Sequence, residues 1–231
     1  MNEIGLAPSR YPLGRHALCL LPLLLLVTAL FLAVGGESEI AGYFHRLRQG
    51  LPGPTAAILW LSEYGNVPFY AGYTLLLAHA LRTRRTSTSR FVLHYLVMLG
   101  LLLLVADIMK IWIGRPRPYV EGEFVALSLK KAWHSFPSNH MTETVFTVMS
   151  LALFLRRAPV TVAGAVWIAA MGFTRIYLGR HHPTDLLGSA VVAGVAVYAL
   201  WKLTARCSSC PVCALLPSGG KETAPDYAII S

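Results

Sequence analysis

Charge is what this chain has least of. Only 13% of its 231 residues are charged, 55% are hydrophobic, and the mean hydropathy is +0.55. That balance excludes an ordinary soluble globule as well as a disordered chain, and it places the protein in a membrane. Acidic residues are scarcer still, 11 against 20 Lys and Arg, for a net charge of +9. The basic excess does not indicate nucleic acid, because it is spread among loops and not gathered on one polar face. Four cysteines occur, and three of them, Cys207, Cys210 and Cys213, sit in the C-terminal tail with no histidine beside them. A structural zinc site needs four ligands, so reduced thiols are expected there, with no metal. No N-glycosylation sequon, internal repeat or metal-spaced cluster of His, Asp and Glu interrupts the rest, and no cofactor is expected.

What fills the chain is apolar runs of membrane-crossing length: Ala17 to Val34, Phe91 to Ile113, Pro137 to Leu155, Ala158 to Tyr177 and Pro183 to Leu203. A sixth is broken by Glu63-Tyr64-Gly65-Asn66, so Val67 to Leu81 reads as a short span opened by Pro68, with Thr55 to Asn66 at or near the interface. The expected fold is an all-α polytopic membrane bundle of six transmembrane helices. Residues 1–16 form an N-terminal tail, 17–203 the membrane domain and 204–231 a flexible C-terminal tail. After the first span, Ile40, Tyr43, Phe44 and Leu47 recur at helical spacing among Glu37, Glu39, Arg46 and Arg48. This amphipathic helix either lies in the outer interface or packs over the bundle.

Basic residues mark one face. Arg82, Arg84, Arg85 and Arg90, then Arg156 and Arg157, then Lys202 and Arg206 fall in alternate connections, so those loops and both termini are expected in the cytoplasm. Arg10 and Arg15 before the first apolar run imitate a signal peptide, but the run is long and is expected to stay as an uncleaved span.

The opposite loops hold three short motifs. In the first, K-x6-RP, Lys110 and Arg117 supply a compact charge and a two-pronged fork for phosphate oxygens, with Pro118 fixing the backbone. In the second, Pro137-Ser138-Asn139-His140 opens a helix whose free N–H groups and dipole favour an anion, Ser138 adding a hydroxyl and His140 a transferable proton. The third, Thr174-Arg175 with His181 and Asp185, is the most specific. The one-turn spacing lets the carboxylate accept from one imidazole nitrogen and leave the other free to attack. Each motif alone has a plain structural explanation as a snorkelling cation, a helix cap or an interfacial histidine. His134 and His182 keep it.

In this order and on these helices, the three motifs resemble the type-2 phosphatidic acid phosphatase superfamily over roughly Phe91 to Leu203. The resemblance implies a six-helix core and metal-independent cleavage of a phosphate ester through a phosphohistidine. It assigns Lys110, Arg117 and Arg175 to phosphate binding, assisted by Ser138 and Asn139, with His140 as general acid, His181 as nucleophile and Asp185 as its partner. Two positions depart from the family pattern: Asn139 stands where glycine is usual, its side chain expected over the site, and Thr174 stands where serine is usual.

The resulting expectation is an integral-membrane phosphatase acting at the outer leaflet of a bacterial inner membrane on a phosphorylated lipid, such as undecaprenyl diphosphate or phosphatidylglycerol phosphate. A lipid-to-lipid phosphotransferase and a lipid A phosphatase are the nearest alternatives. A non-catalytic lipid carrier is a third, resting on Asp107 as the plain ionisable residue within a span.

Overall fold

The computed structural model describes residues 11–206, with the side chains of 205 and 206 left aside. The C-x2-C-x2-C run lies outside the described residues. Eight α-helices follow one another: α1 Leu13–Val34, α2 Glu37–Gly50, α3 Pro52–Tyr64, α4 Val67–Arg82, α5 Thr86–Ile113, α6 Asn139–Leu155, α7 Ala158–Tyr177 and α8 Pro183–Arg206. A single 3-10 turn, Lys131–Trp133, breaks the long α5–α6 connection. Proline sets several starts: Pro52, Pro68, Pro159 and Pro183 each stand in a first turn, where the missing N–H has no intrahelical role.

Four helices, α1, α5, α7 and α8, are long and apolar enough to cross a membrane. Their flanks leave Leu25, Leu32, Leu104, Val166, Val191 and Val195 exposed, a greasy exterior that water would not tolerate over this extent. The helix α6, about 25 Å long by its rise, is instead enclosed by α1, α5, α7 and α8 and buries ten side chains from Met141 to Ala152. Among its buried hydroxyls, Thr144 donates to the His140 carbonyl at 2.7 Å and Thr147 pairs with the Tyr95 phenol at 2.9 Å. An aromatic ladder ties α4 and α5 to it, with Tyr73 stacked on Tyr95 at 3.8 Å, Tyr95 beside Phe146, and both phenols reaching Thr147.

The amphipathic segment is a helix as expected. Ile40 and Phe44 are buried, Phe44 edge-on to Phe173 and Tyr177 of α7, while Tyr43 stays outside. The interrupted segment is two helices, α3 and α4, joined by Gly65 and Asn66 with right-handed helical dihedrals. Helix α1 begins at Leu13, four residues before the first expected apolar position, because Tyr11 anchors it by edge-on contacts with Tyr198 and Trp201 of α8.

Candidate active site

The end of α5, the starts of α6 and α8, and the end of α7 meet at one end of the bundle. Gly114 makes this possible. It terminates α5 at φ 56, and a Cβ there would lie 1.7 Å from the Val125 carbonyl oxygen, so only glycine permits the turn. The connection then zips onto itself, Arg117 N–H donating to Ala132 O at 2.9 Å and Ser135 N–H to Arg115 O at 3.0 Å. Lys110, Arg115 and Arg117 thereby line one arm, and Ser135 stands on the other.

His181 occupies the short loop between α7 and α8 and is almost wholly buried. Its Nδ1 lies 2.7 Å from the Ser135 carbonyl and 3.7 Å from Asp185 Oδ2. The Nδ1–H therefore donates to the carbonyl, and Nε2 keeps its lone pair. Burial pushes the imidazole down to about 4; Asp185 opposes this, and the charges of Arg175 and Arg117 add to it. A neutral ring is what a nucleophile needs.

Asp185, fully buried, is held on every side. It accepts from the Ser135 hydroxyl at 2.6 Å, from the His182 N–H at 2.8 Å and from Arg115 Nη1 at 2.6 Å. The same guanidinium reaches Thr184 Oγ1 at 2.7 Å and forms an ion pair with Glu37, whose other oxygen takes the Thr184 hydroxyl at 2.6 Å. Arg115, Ser135 and Glu37 were not singled out from the sequence. A signal for the first existed in the doubled Arg-Pro of Arg115-Pro116-Arg117-Pro118. Glu37 in the first turn of α2 reads locally as a helix-dipole partner and nothing more.

Three cations converge opposite. Lys110 is buried in the last turn of α5 with Nζ 3.4 Å from Asp107 Oδ1. Arg175, buried at the end of α7, donates from Nη1 to Ser62 at 2.8 Å. Arg117 acts electrostatically on both and on His181. The Nε groups of Arg117 and Arg175 are buried without an acceptor. Like charges gathered around unfilled donors are costly unless an anion completes them.

At the start of α6, Ser138 is the N-cap, its hydroxyl accepting from Met141 N–H at 3.4 Å and its own N–H donating to Ser189 at 2.8 Å. By helix geometry the Asn139 and His140 N–H groups have no intrahelical acceptor, and they carry the dipole's positive end. The Asn139 amide donates at 2.6 Å to Asp107, the carboxylate that Lys110 also uses, so α5 and α6 are clasped beside the clustered cations. His140, half-buried one residue on, lies in the field of Arg175, Glu63, Arg180 and Lys110. Thr174 turns its hydroxyl to Met171 O at 2.8 Å and away from the site. Asp107 is not alone as an acid within an apolar helix: Glu143 of α6 has a buried Oε1 without a partner.

The polar break in the second apolar segment now has a cause. Ser62 meets Arg175, Glu63 pairs with Arg180, and Asn66 accepts from Thr144 of α6 at 3.0 Å. Ser62 and Glu63 reach these partners from α3 and Asn66 from the α3–α4 joint, a placement that their sequence spacing did not reveal.

Comparison with known proteins bears on the same half of the chain. The family model described as the PAP2 superfamily matches residues 91–209. Undecaprenyl-diphosphatase BcrC of Bacillus subtilis (strain 168) is 28% identical over 144 residues, 59% of this chain and 67% of that protein. The lipid A 1-phosphatase of Rhizobium johnstonii is 32% identical over 161 residues, 62% of this chain and 59% of the relative. The lipid A 4'-phosphatase of Bacteroides thetaiotaomicron is 25% identical over 170 residues, 67% of this chain and 70% of the relative. The chain thus spans about three-fifths to seven-tenths of the length of these proteins.

Proposed function

Since the chain belongs to the PAP2 superfamily, we propose that it is a membrane lipid phosphatase hydrolysing a phosphomonoester or diphosphate headgroup through a phosphohistidine on His181. The observation that carries this reading is the pair of buried, acceptorless guanidinium Nε groups of Arg117 and Arg175 beside a histidine whose Nδ1 is already engaged. Phosphate oxygens fill the donors, and the phosphorus comes to rest before Nε2. Attack forms the N–P bond as the bond to the leaving oxygen breaks, and the departing electron pair is protonated by His140. Water, giving its proton back to His140, then cleaves the N–P bond and releases inorganic phosphate. Lys110, Arg117, Arg175 and the N-terminus of α6 stabilise the charge on the equatorial oxygens throughout. Ser138 and Asn139 act through that helix start, Asn139 also by holding Asp107. Asp185, fixed by Arg115, keeps a negative charge near the ring as it loses its neutrality.

Undecaprenyl diphosphate and phosphatidylglycerol phosphate fit this reading. Lipid A is a second candidate, favoured by the similarity to two lipid A phosphatases. Charge neutralisation by three protein cations makes the reaction metal-independent. The test is phosphate release by purified protein from these lipids in detergent with excess EDTA. Release is expected from at least one of them. Chelation that stops turnover, with recovery on adding zinc or magnesium, would end the metal-independent mechanism. Phosphate appearing only on an added acceptor lipid would make the protein a transferase.

We place the site outside the cytoplasm of a bacterial cell, with both termini inside, α4 and α6 completing six crossings, and α2 at the outer interface. The basic loops Arg82 to Arg90 and Arg156-Arg157 lie at the opposite end of the helices from Lys110 and His181, and they support this orientation. A cysteine probe in the α5–α6 connection tests it. Gly122 has φ 153, which disfavours a side chain, so the exposed Glu121 is the better position. Glu121→Cys is expected to react with a membrane-impermeant thiol reagent on intact cells, above the parent protein's background. Reaction of folded, active protein only after the membrane is breached would reverse the orientation.

A further inference from the structure

One charged pair at the mouth of the site has no part in the mechanism above. Arg180 forms an ion pair with Glu63, both partly exposed, on the loop that leads from α7 to His181. Its backbone N–H is bonded to Arg175 O at 3.0 Å, and the adjacent α3 residue, Ser62, holds the Arg175 guanidinium. Arg175 and Arg180 are thus docked side by side on neighbouring residues of α3, one buried and one open to solvent.

The two histidines have different neighbours. Asn66, three residues after Glu63, accepts at 3.0 Å from the Thr144 hydroxyl, which also lies 2.7 Å from the His140 carbonyl, so the end of α3 that holds Arg180 packs against the start of α6. His181 turns instead to the Ser135 carbonyl at 2.7 Å. In the proposed reaction His181 attacks from one side of the phosphorus and His140 serves the oxygen leaving on the other. Arg180 therefore stands on the leaving-group side, at the exposed rim.

A guanidinium there has nothing to bind in a lipid alcohol. It suits a leaving group that is itself a phosphate. We infer that Arg180 is a specificity-determining residue that binds the second phosphate of a lipid diphosphate, and that Glu63 holds the arginine in place until that phosphate displaces it. The inference rests on the phosphatase reading. As His181 Nε2 bonds to the terminal phosphorus, the bond from that phosphorus to the bridging oxygen breaks. The electron pair stays on the bridging oxygen, now part of a lipid monophosphate. Arg180 neutralises the charge gained there, so proton donation by His140 is less critical for this class than for a lipid alcohol. Hydrolysis of the phosphohistidine then yields inorganic phosphate and restores His181.

The experiment compares kcat/KM for a prenyl diphosphate and a prenyl monophosphate of the same chain length, using purified wild type, Arg180→Ala and Arg180→Lys in detergent. Loss of one charge-assisted contact predicts that Arg180→Ala falls about 10- to 100-fold on the diphosphate and less than about threefold on the monophosphate. Turnover of the monophosphate by the same preparation verifies that the variant is folded. Arg180→Lys, keeping the charge without the fork, is expected to retain most of the diphosphate preference. Equal losses on both substrates, or no loss on either, in a background where the wild type is active, would overturn the role of Arg180 alone. A wild type that hydrolyses neither prenyl lipid would overturn this inference, and one that also releases no phosphate from phosphatidylglycerol phosphate or lipid A would overturn the phosphatase reading itself.

Discussion

Purified His181→Ala is expected to show no measurable phosphate release, a loss of about 10⁴-fold or more, because the nitrogen that forms the covalent intermediate is removed. The wild type, quenched in acid-free conditions during turnover of a radiolabelled lipid phosphate, should carry a phosphoryl group that acid removes and base does not. His182, the neighbouring histidine, cannot substitute: its Nε2 faces the Pro116 carbonyl at 3.2 Å and its Nδ1 is buried towards Glu37. Asp185→Asn should be severe yet incomplete, on the order of 10²- to 10⁴-fold. The Ser135 carbonyl still holds Nδ1–H at 2.7 Å, so the tautomer survives, while the charge that balances the forming imidazolium and pairs with Arg115 is lost. Because burial lowers His181 to about 4, the acid limb of kcat/KM should lie in that region, where the ring takes a proton and its lone pair is gone. Undiminished release by His181→Ala, or a phosphoenzyme in that variant, would remove the assigned nucleophile.

The sequence made the helices and the reacting groups visible for the same reason. Long apolar runs leave a bilayer chain few structural choices, and charged residues at their ends stand out against a composition with little charge. The helices around α6, and the meeting of Lys110, Arg117, Arg175 and His181 at one end of them, follow from that. What the sequence concealed depends on contacts between distant segments. Glu37 meets Thr184 across 147 residues and Arg175 meets Ser62 across 113, and nothing in either local pattern points to the other. Asn139 shows the limit best. Its neighbours place its side chain over the site and give no hint of its partner, Asp107, 32 positions earlier, the carboxylate that Lys110 also uses. The nearest acceptor to His181 Nδ1 was hidden in a different way: Ser135 contributes a backbone carbonyl, a group that every residue carries.

His140→Ala should separate substrates by their leaving groups. The side chain lies at the start of α6, next to the helix-end N–H groups and in the field of Arg175, Arg180, Lys110 and Glu63, where it can meet the oxygen that departs from the phosphorus. A lipid alkoxide is a poor leaving group and needs the proton as its bond breaks, so the variant should lose about 10²- to 10⁴-fold on a phosphomonoester lipid. An aryl phosphate with an electron-withdrawing ring leaves without protonation and should lose far less in the first step. Burst kinetics should then show the phosphoenzyme accumulating, since His140 also takes the proton from the water that attacks it. The wild type should give a bell-shaped pH profile on the lipid, because His140 must be protonated for departure and neutral for hydrolysis. In His140→Ala the alkaline limb should vanish, while the acid limb belonging to His181 persists. Equal losses on lipid and aryl substrates, with no burst on the aryl phosphate, would show that His140 serves to hold the phosphate and not to move the proton.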